Sequence, residues 1–119
     1  MGKTVVLGAS TNPARTSYAA IHRLSNAGEE VIPIGIKEGK VADIEIINDR
    51  PALEEIDTIT LYLNPQRQEQ YYDYILNLKP KRIIFNPGTE NPTLVKLAKE
   101  NGIEAEIACT LVMLATGVY

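Results

Sequence analysis

Residues with the potential for chemistry are concentrated near the start of this 119-residue chain. Gly8-Ala9-Ser10-Thr11-Asn12-Pro13-Ala14-Arg15-Thr16-Ser17-Tyr18 is a glycine followed by small and hydroxyl residues, and it leads into a helical pattern. Exposed amides at such a helix start, with the positive end of the helix dipole, suit a pyrophosphate. Ser10, Thr16 and Ser17 offer hydroxyl donors and Arg15 offers a charged fork. The alternative is that these residues are only caps and turn formers. A dinucleotide fingerprint needs three spaced glycines, and this loop keeps only Gly8 before Asn12-Pro13 intervenes. After the second apolar run, where a nicotinamide dinucleotide site places a carboxylate, the chain reads Gly35-Ile36-Lys37. A cation there suits a phosphate on the ribose, although Glu38 follows and could neutralise it.

Groups for acid, base or nucleophilic work are scarce. His22 falls off the apolar stripe of the first helical pattern and reads as a surface residue. Cys109, the single cysteine, reads as a small buried hydrophobe, because no basic group stands near it in sequence. One cysteine and one histidine cannot build a Cys/His zinc site, so no metal ligand and no catalytic residue is nominated. Tyr71, Tyr72 and Tyr74 read as packing or as an oligomer contact.

The elements that would position these residues follow a repeated grammar. Residues 4–7 form a β-branched run that predicts a buried strand. Ala20, Ile21, Leu24 and Ala27 recur at helical spacing, with Thr16 or Ser17 as N-cap and Gly28 as the left-handed stop. Residues 31–36 predict a strand that Pro33 pushes to a sheet edge. From 37 to 57 the pattern is irregular, with one short strand around Ile44, Ile46 and Ile47. A strand over 58–63 is followed by Asn64-Pro65, a cap and first-turn proline, and by a helix to Leu78. A strand over 82–85, a helix opened by Asn91-Pro92 and closed by Gly102, a strand over 104–107 and a last helical turn over 110–115 complete the chain. Strand, helix, strand repeated in this way predicts an α/β fold, a Rossmann-like, doubly wound, mostly parallel sheet of about five strands with helices on both faces. A ligand then belongs outside the strands' C-terminal ends, at the switch point beside the first strand.

Composition bounds the function. A chain of 119 residues, 45% hydrophobic and 23% charged, has room for one domain over residues 1–119 and is unlike a disordered chain. Twelve basic against fifteen acidic residues, net charge -3, argue against nucleic acid as a partner. A lone cysteine fits a cytoplasmic compartment. Residues 1–7 show no signal-peptide pattern, and no stretch is long and apolar enough to span a membrane.

Gly8-Ala9-Ser10-Thr11-Asn12-Pro13 with Tyr18, Pro33 before the second loop, Asn86-Pro87-Gly88-Thr89-Glu90, and Ala108-Cys109-Thr110-Leu111-Val112 together resemble the small stand-alone CoA-binding proteins, relatives of the CoA-binding domain of the succinyl-CoA synthetase alpha subunit. The resemblance runs over nearly the whole chain. It implies coenzyme A, or an acyl-CoA, at the switch point. Gly8, Ala9, Ser10 and the segment Asn12, Pro13, Arg15, Thr16, Ser17 and Tyr18 would hold the pyrophosphate. Lys37 would face the ribose phosphate, with Gly35 also among the cofactor-binding residues, Leu63 and Asn64 would border the adenine or ribose, and Asn86, Pro87 and Gly88 would line the pantetheine side. The chain departs from the common family pattern at Gly35-Ile36-Lys37, where many members carry Asn-Pro. The synthetase's second domain, with its phosphorylated histidine, has no counterpart, so ligase activity is not implied. The expected function is a non-catalytic CoA-binding module, whose macromolecular partner would be a second copy or an enzyme that handles acyl-CoA. The competing readings are an NADP-linked or acyl-transfer enzyme and a degenerate module that binds a protein through its tyrosine-rich helix.

Overall fold

The chain runs β1 (Lys3–Leu7), α1 (Thr16–Asn26), β2 (Glu30–Ile34), β3 (Gly39–Val41), β4 (Ile44–Ile46), β5 (Ile56–Leu61), α2 (Pro65–Gln68), a 3-10 turn (Glu69–Tyr71), α3 (Tyr72–Leu78), β6 (Arg82–Phe85), α4 (Pro92–Glu100), β7 (Glu104–Ile107) and α5 (Thr110–Ala115). The computed structural model describes residues 2–119. Five strands form one sheet in the order β2-β1-β5-β6-β7, and every pairing in it is parallel. This is the α/β, Rossmann-like architecture the pattern predicts. From β1 the chain crosses to β2 on one side and later returns to β5 on the other, so the switch point lies at the C-terminal end of β1.

Both faces of the sheet are covered, which is why the central strands read as continuous apolar runs. On one face Val5, Leu7, Ile59, Leu61, Ile83 and Phe85 pack with Ile75 and Leu78 of α3 and Leu94 and Ala98 of α4. On the other, Val6 and Val31 pack with Ile21 and Leu24 of α1. Asn91 caps α4 by accepting from the amides of Thr93 and Leu94, with Pro92 at the first helical position. Pro33 lies on edge strand β2, as its missing donor requires. Among the described residues, no helix is long and apolar enough to cross a membrane.

Four local expectations are corrected. The cap of α1 is neither Thr16 nor Ser17. Arg15 holds the cap position without a side-chain cap bond, because Asn12 closes the preceding turn through its carboxamide to Ala14 N and its carbonyl to Arg15 N. Strand β2 ends at Ile34 rather than residue 36, because the Gly35 amide turns to the Ile47 carbonyl. The region expected to hold one short strand forms an antiparallel hairpin, β3 with β4. Its turn residues Ala42 and Asp43 both take positive φ, 53° and 62°, and neither is the glycine that usually signals such a turn. Val41 and Ile46 enter the core, which anchors the hairpin. The helix expected over 65–78 is broken into α2, the 3-10 turn and α3.

Candidate functional site

The first loop is built on two glycines that side chains cannot replace. Gly8 has φ 104°, and a Cβ there would come within 2.9 Å of the Tyr62 carbonyl carbon. At Gly35 a Cβ would overlap the carbonyl oxygen of Ala9. These close approaches lay the loop across the ends of β1, β2 and β5. The amides of Gly8 and Ala9 both donate to the Ile34 carbonyl at 2.9 Å, so these two N–H groups are engaged in fixing the loop. Among the described residues, the amides of Ser10, Thr11, Thr16 and Ser17 donate to no protein group, since the loop's other bonds come from Asn12, Ala14 and Arg15. Two of these free amides are in the first turn of α1 and two are in the loop before it, beside hydroxyl side chains, a set of donors suited to an anion cradle.

The cradle opens into a cleft of about 450 Å³ at the switch point. Gly8, Ala9, Ser10, Asn12, Arg15, Thr16, Ser17, Gly35, Lys37 and Leu63, ten of the sixteen expected site residues, line it. Thr11, Ile34, Ile36, Tyr62, Arg67 and Tyr71 complete the lining. Arg15, Lys37 and Arg67 are exposed and form no ion pair among the described residues, whose salt bridges join Lys81 to Asp57 and Arg82 to Glu106. A chain of net charge -3 thus gathers three unpaired cations and no carboxylate in one concave surface. That arrangement focuses positive potential on the cradle. Tyr62 and Tyr71 are the two phenols of the wall. Burial pushes the pKa of Tyr62 up to about 12 from 10.0, against the opposing effect of hydrogen bonding to Thr110 and Thr60, so Tyr62 stays neutral at physiological pH.

The family model described as CoA binding domain matches residues 2–115. The chain belongs to the CoA binding domain family. It is also similar to the crystal structure of an uncharacterized protein at 55% identity, covering 100% of this chain and 98% of that one with a TM-score of 0.97. A protein from Thermus thermophilus shares the fold at 21% identity over 99% of this chain and 90% of its own, with a TM-score of 0.86. A conserved hypothetical protein from Pyrococcus furiosus does so at 23% identity over 94% and 98%, with a TM-score of 0.82. No curated protein matches the chain.

The remaining expected site residues of this CoA-binding domain stand outside the cleft lining. Pro13 shapes the turn before α1. Tyr18 is half-buried against the α1 core, its ring 4.9 Å from that of His22. Asn64 caps α2 by accepting from Arg67 N at 2.9 Å. Asn86 is 3% exposed, and its side chain is fully engaged: it donates to Thr60 Oγ1 and the Leu61 carbonyl and accepts from Thr110 N. It ties the ends of β5 and β6 to the start of α5. Pro87 and Gly88 are exposed at the same strand end.

Arg67 is not among the residues the sequence nominates for the site, although the Asn64-Pro65 helix start is, and Tyr71, read from the sequence as packing or an oligomer contact, also lines the cleft. Arg67 is in the first turn of a helix that starts just past the end of β5, and that position is the signal that could have found it. Tyr71 had no such signal, since its place depends on the break between α2 and α3. A buried glutamine holds that break. Gln68, 0% exposed, donates to the carbonyls of Leu63 and Thr89 and accepts from Asn91, which also donates to the Tyr72 hydroxyl. Tyr72 and Tyr74 pack against the core, and the Tyr74 hydroxyl donates to the Pro51 carbonyl.

Proposed function

We propose that residues 1–119 act as one binding domain that holds coenzyme A, or an acyl-CoA, without catalysing a reaction on it. The observation that carries this is the set of four free amides and three unpaired cations in one cleft at the switch point. Ser10, Thr11, Thr16 and Ser17 would hold the diphosphate with Arg15, the role expected of the whole first loop. Lys37 would meet the ribose phosphate. Leu63 would border the adenosine, and Pro87 and Gly88 would flank the pantetheine arm. The donor set fits such a ligand, because it supplies positive charge and N–H groups to phosphates and no group that would repel them.

The lining supports a binding role over a catalytic one. It includes no histidine, cysteine, aspartate or glutamate. A cytoplasmic setting suits a single unpaired thiol. Thermal unfolding in the presence of coenzyme A, dephospho-CoA, NADP and NAD tests this. A native-state site filled at 100 times its Kd adds about 2.7 kcal/mol of stability. The expected order is coenzyme A first and NAD last, and no stabilisation by any CoA species would overturn the proposal.

A further inference from the structure

Two walls of the cleft differ in origin but match in chemistry. One wall follows β2 and presents Ile36, 63% exposed, beside Lys37. The facing wall follows β5 and presents Leu63, Arg67 and Tyr71. Arg67 and Tyr71 are four residues apart, and both reach the same cleft. The Tyr71 ring is braced by the Arg50 guanidinium, 4.4 Å from its centroid. Arg50 is itself held by donating to the Gln70 carbonyl at 2.8 Å. Ile36, Leu63 and Tyr71 all line the cleft and offer apolar surface for a flat base. Lys37 is next to Ile36 in the chain, and Arg67 shares the β5 side with Leu63 and Tyr71.

Resting on the reading of the cleft as a CoA site, we propose that Arg67 is a specificity-determining residue that works with Lys37 as a two-walled clamp on the ribose phosphate, while the base lies between Ile36 and Tyr71. The diphosphate lies at the amides of the first loop with Arg15. The three cations are thereby divided between two phosphate positions, and the cleft selects adenine nucleotides that carry a phosphate on the ribose. Arg67 is well suited to the task. Its guanidinium forms no ion pair among the described residues, and its backbone is fixed by the Asn64 cap independently of the side chain.

Calorimetric titration of wild type, Arg67→Gln, Lys37→Gln, the double variant and Arg23→Gln with coenzyme A and with dephospho-CoA tests the clamp. Arg23 is an exposed cation in the last turn of α1, outside the cleft, and reports any general effect of charge. The expected result is a loss of about tenfold or more in coenzyme A affinity for Arg67→Gln, from one charge-assisted hydrogen bond, with dephospho-CoA affinity changed less than about twofold. The double variant is expected to bind the two ligands equally. Equal losses for both ligands in Arg67→Gln, no loss for either, or the same loss in Arg23→Gln would each overturn the clamp. A wild-type protein that binds coenzyme A and dephospho-CoA equally would overturn the clamp while leaving the CoA site standing. Binding of neither would overturn both.

Discussion

A Cβ at Gly35 would overlap the carbonyl oxygen of Ala9, so the first residue after β2 and the second residue after β1 approach to a distance that only a missing side chain permits. The contact is with backbone, which cannot swing aside as a flexible side chain does. It holds the first loop down on the end of the sheet while the Gly8 and Ala9 amides bond Ile34. Gly35→Ala is expected to cost about 1–3 kcal/mol, the usual penalty for an overpacked site, and to displace the cradle. Urea denaturation reads the stability change; an unchanged midpoint would show that the contact imposes no constraint.

Asn86 joins three elements at the same end of the sheet. Asn86→Ala would leave the Leu61 carbonyl and the Thr110 amide without this partner in a buried site. The expected loss is at least about 2 kcal/mol of unfolding free energy. Amide hydrogen exchange should speed up first at Thr110, where the bond to Asn86 is removed. Unchanged protection there would mean that α5 is held by other contacts.

Tyr62 is expected to contribute to the loss of stability at alkaline pH. Its folded-state pKa lies near 12 and its ordinary value is 10.0, so between these the folded state keeps a proton that the unfolded chain has released. Stability is therefore fully present below pH 10 and falls as pH rises toward 12. Burial raises Tyr74 and Tyr119 in the same direction. Tyr62→Phe should flatten the decline in a pH series of denaturation midpoints, whereas an unchanged slope would remove Tyr62 as a source of it.

The three cations are exposed, so their attraction for a phosphate ligand is open to screening. Raising ionic strength from about 0.01 M to 1 M shortens the Debye length from about 30 Å to about 3 Å. Coenzyme A affinity should fall steadily over that range. An affinity independent of salt would mean that Arg15, Lys37 and Arg67 do not face the bound phosphates.

Periodicity and punctuation predict the sheet, the edge position of Pro33 and the loops that meet at the switch point, because each depends on local residue preferences. The hairpin over Gly39–Ile46 is hidden in that view. Ala42 adopts a left-handed conformation that its type disfavours, beside Asp43, whose type tolerates it, and the core contacts of Val41 and Ile46 outweigh the cost at Ala42. The 3-10 break at Glu69–Tyr71 is equally non-local, since Gln68 finds its partners in Thr89 and Asn91, more than twenty residues away. The same distinction divides the site. Ser10, Arg15, Thr16, Ser17 and Lys37 follow from strand-end position, whereas Arg67 and Tyr71 depend on how α2 is tethered. Asn86 shows the opposite case: a conspicuous strand-end polar residue whose side chain serves the fold.

Isothermal titration of the purified full chain with coenzyme A tests the central claim most directly. One saturable site, with weaker binding of dephospho-CoA and weaker still of NAD, is the result expected of a cleft that holds both a diphosphate and a ribose phosphate. Absence of binding heat for coenzyme A at temperatures well separated from one another, or equal affinity for NAD, would contradict it.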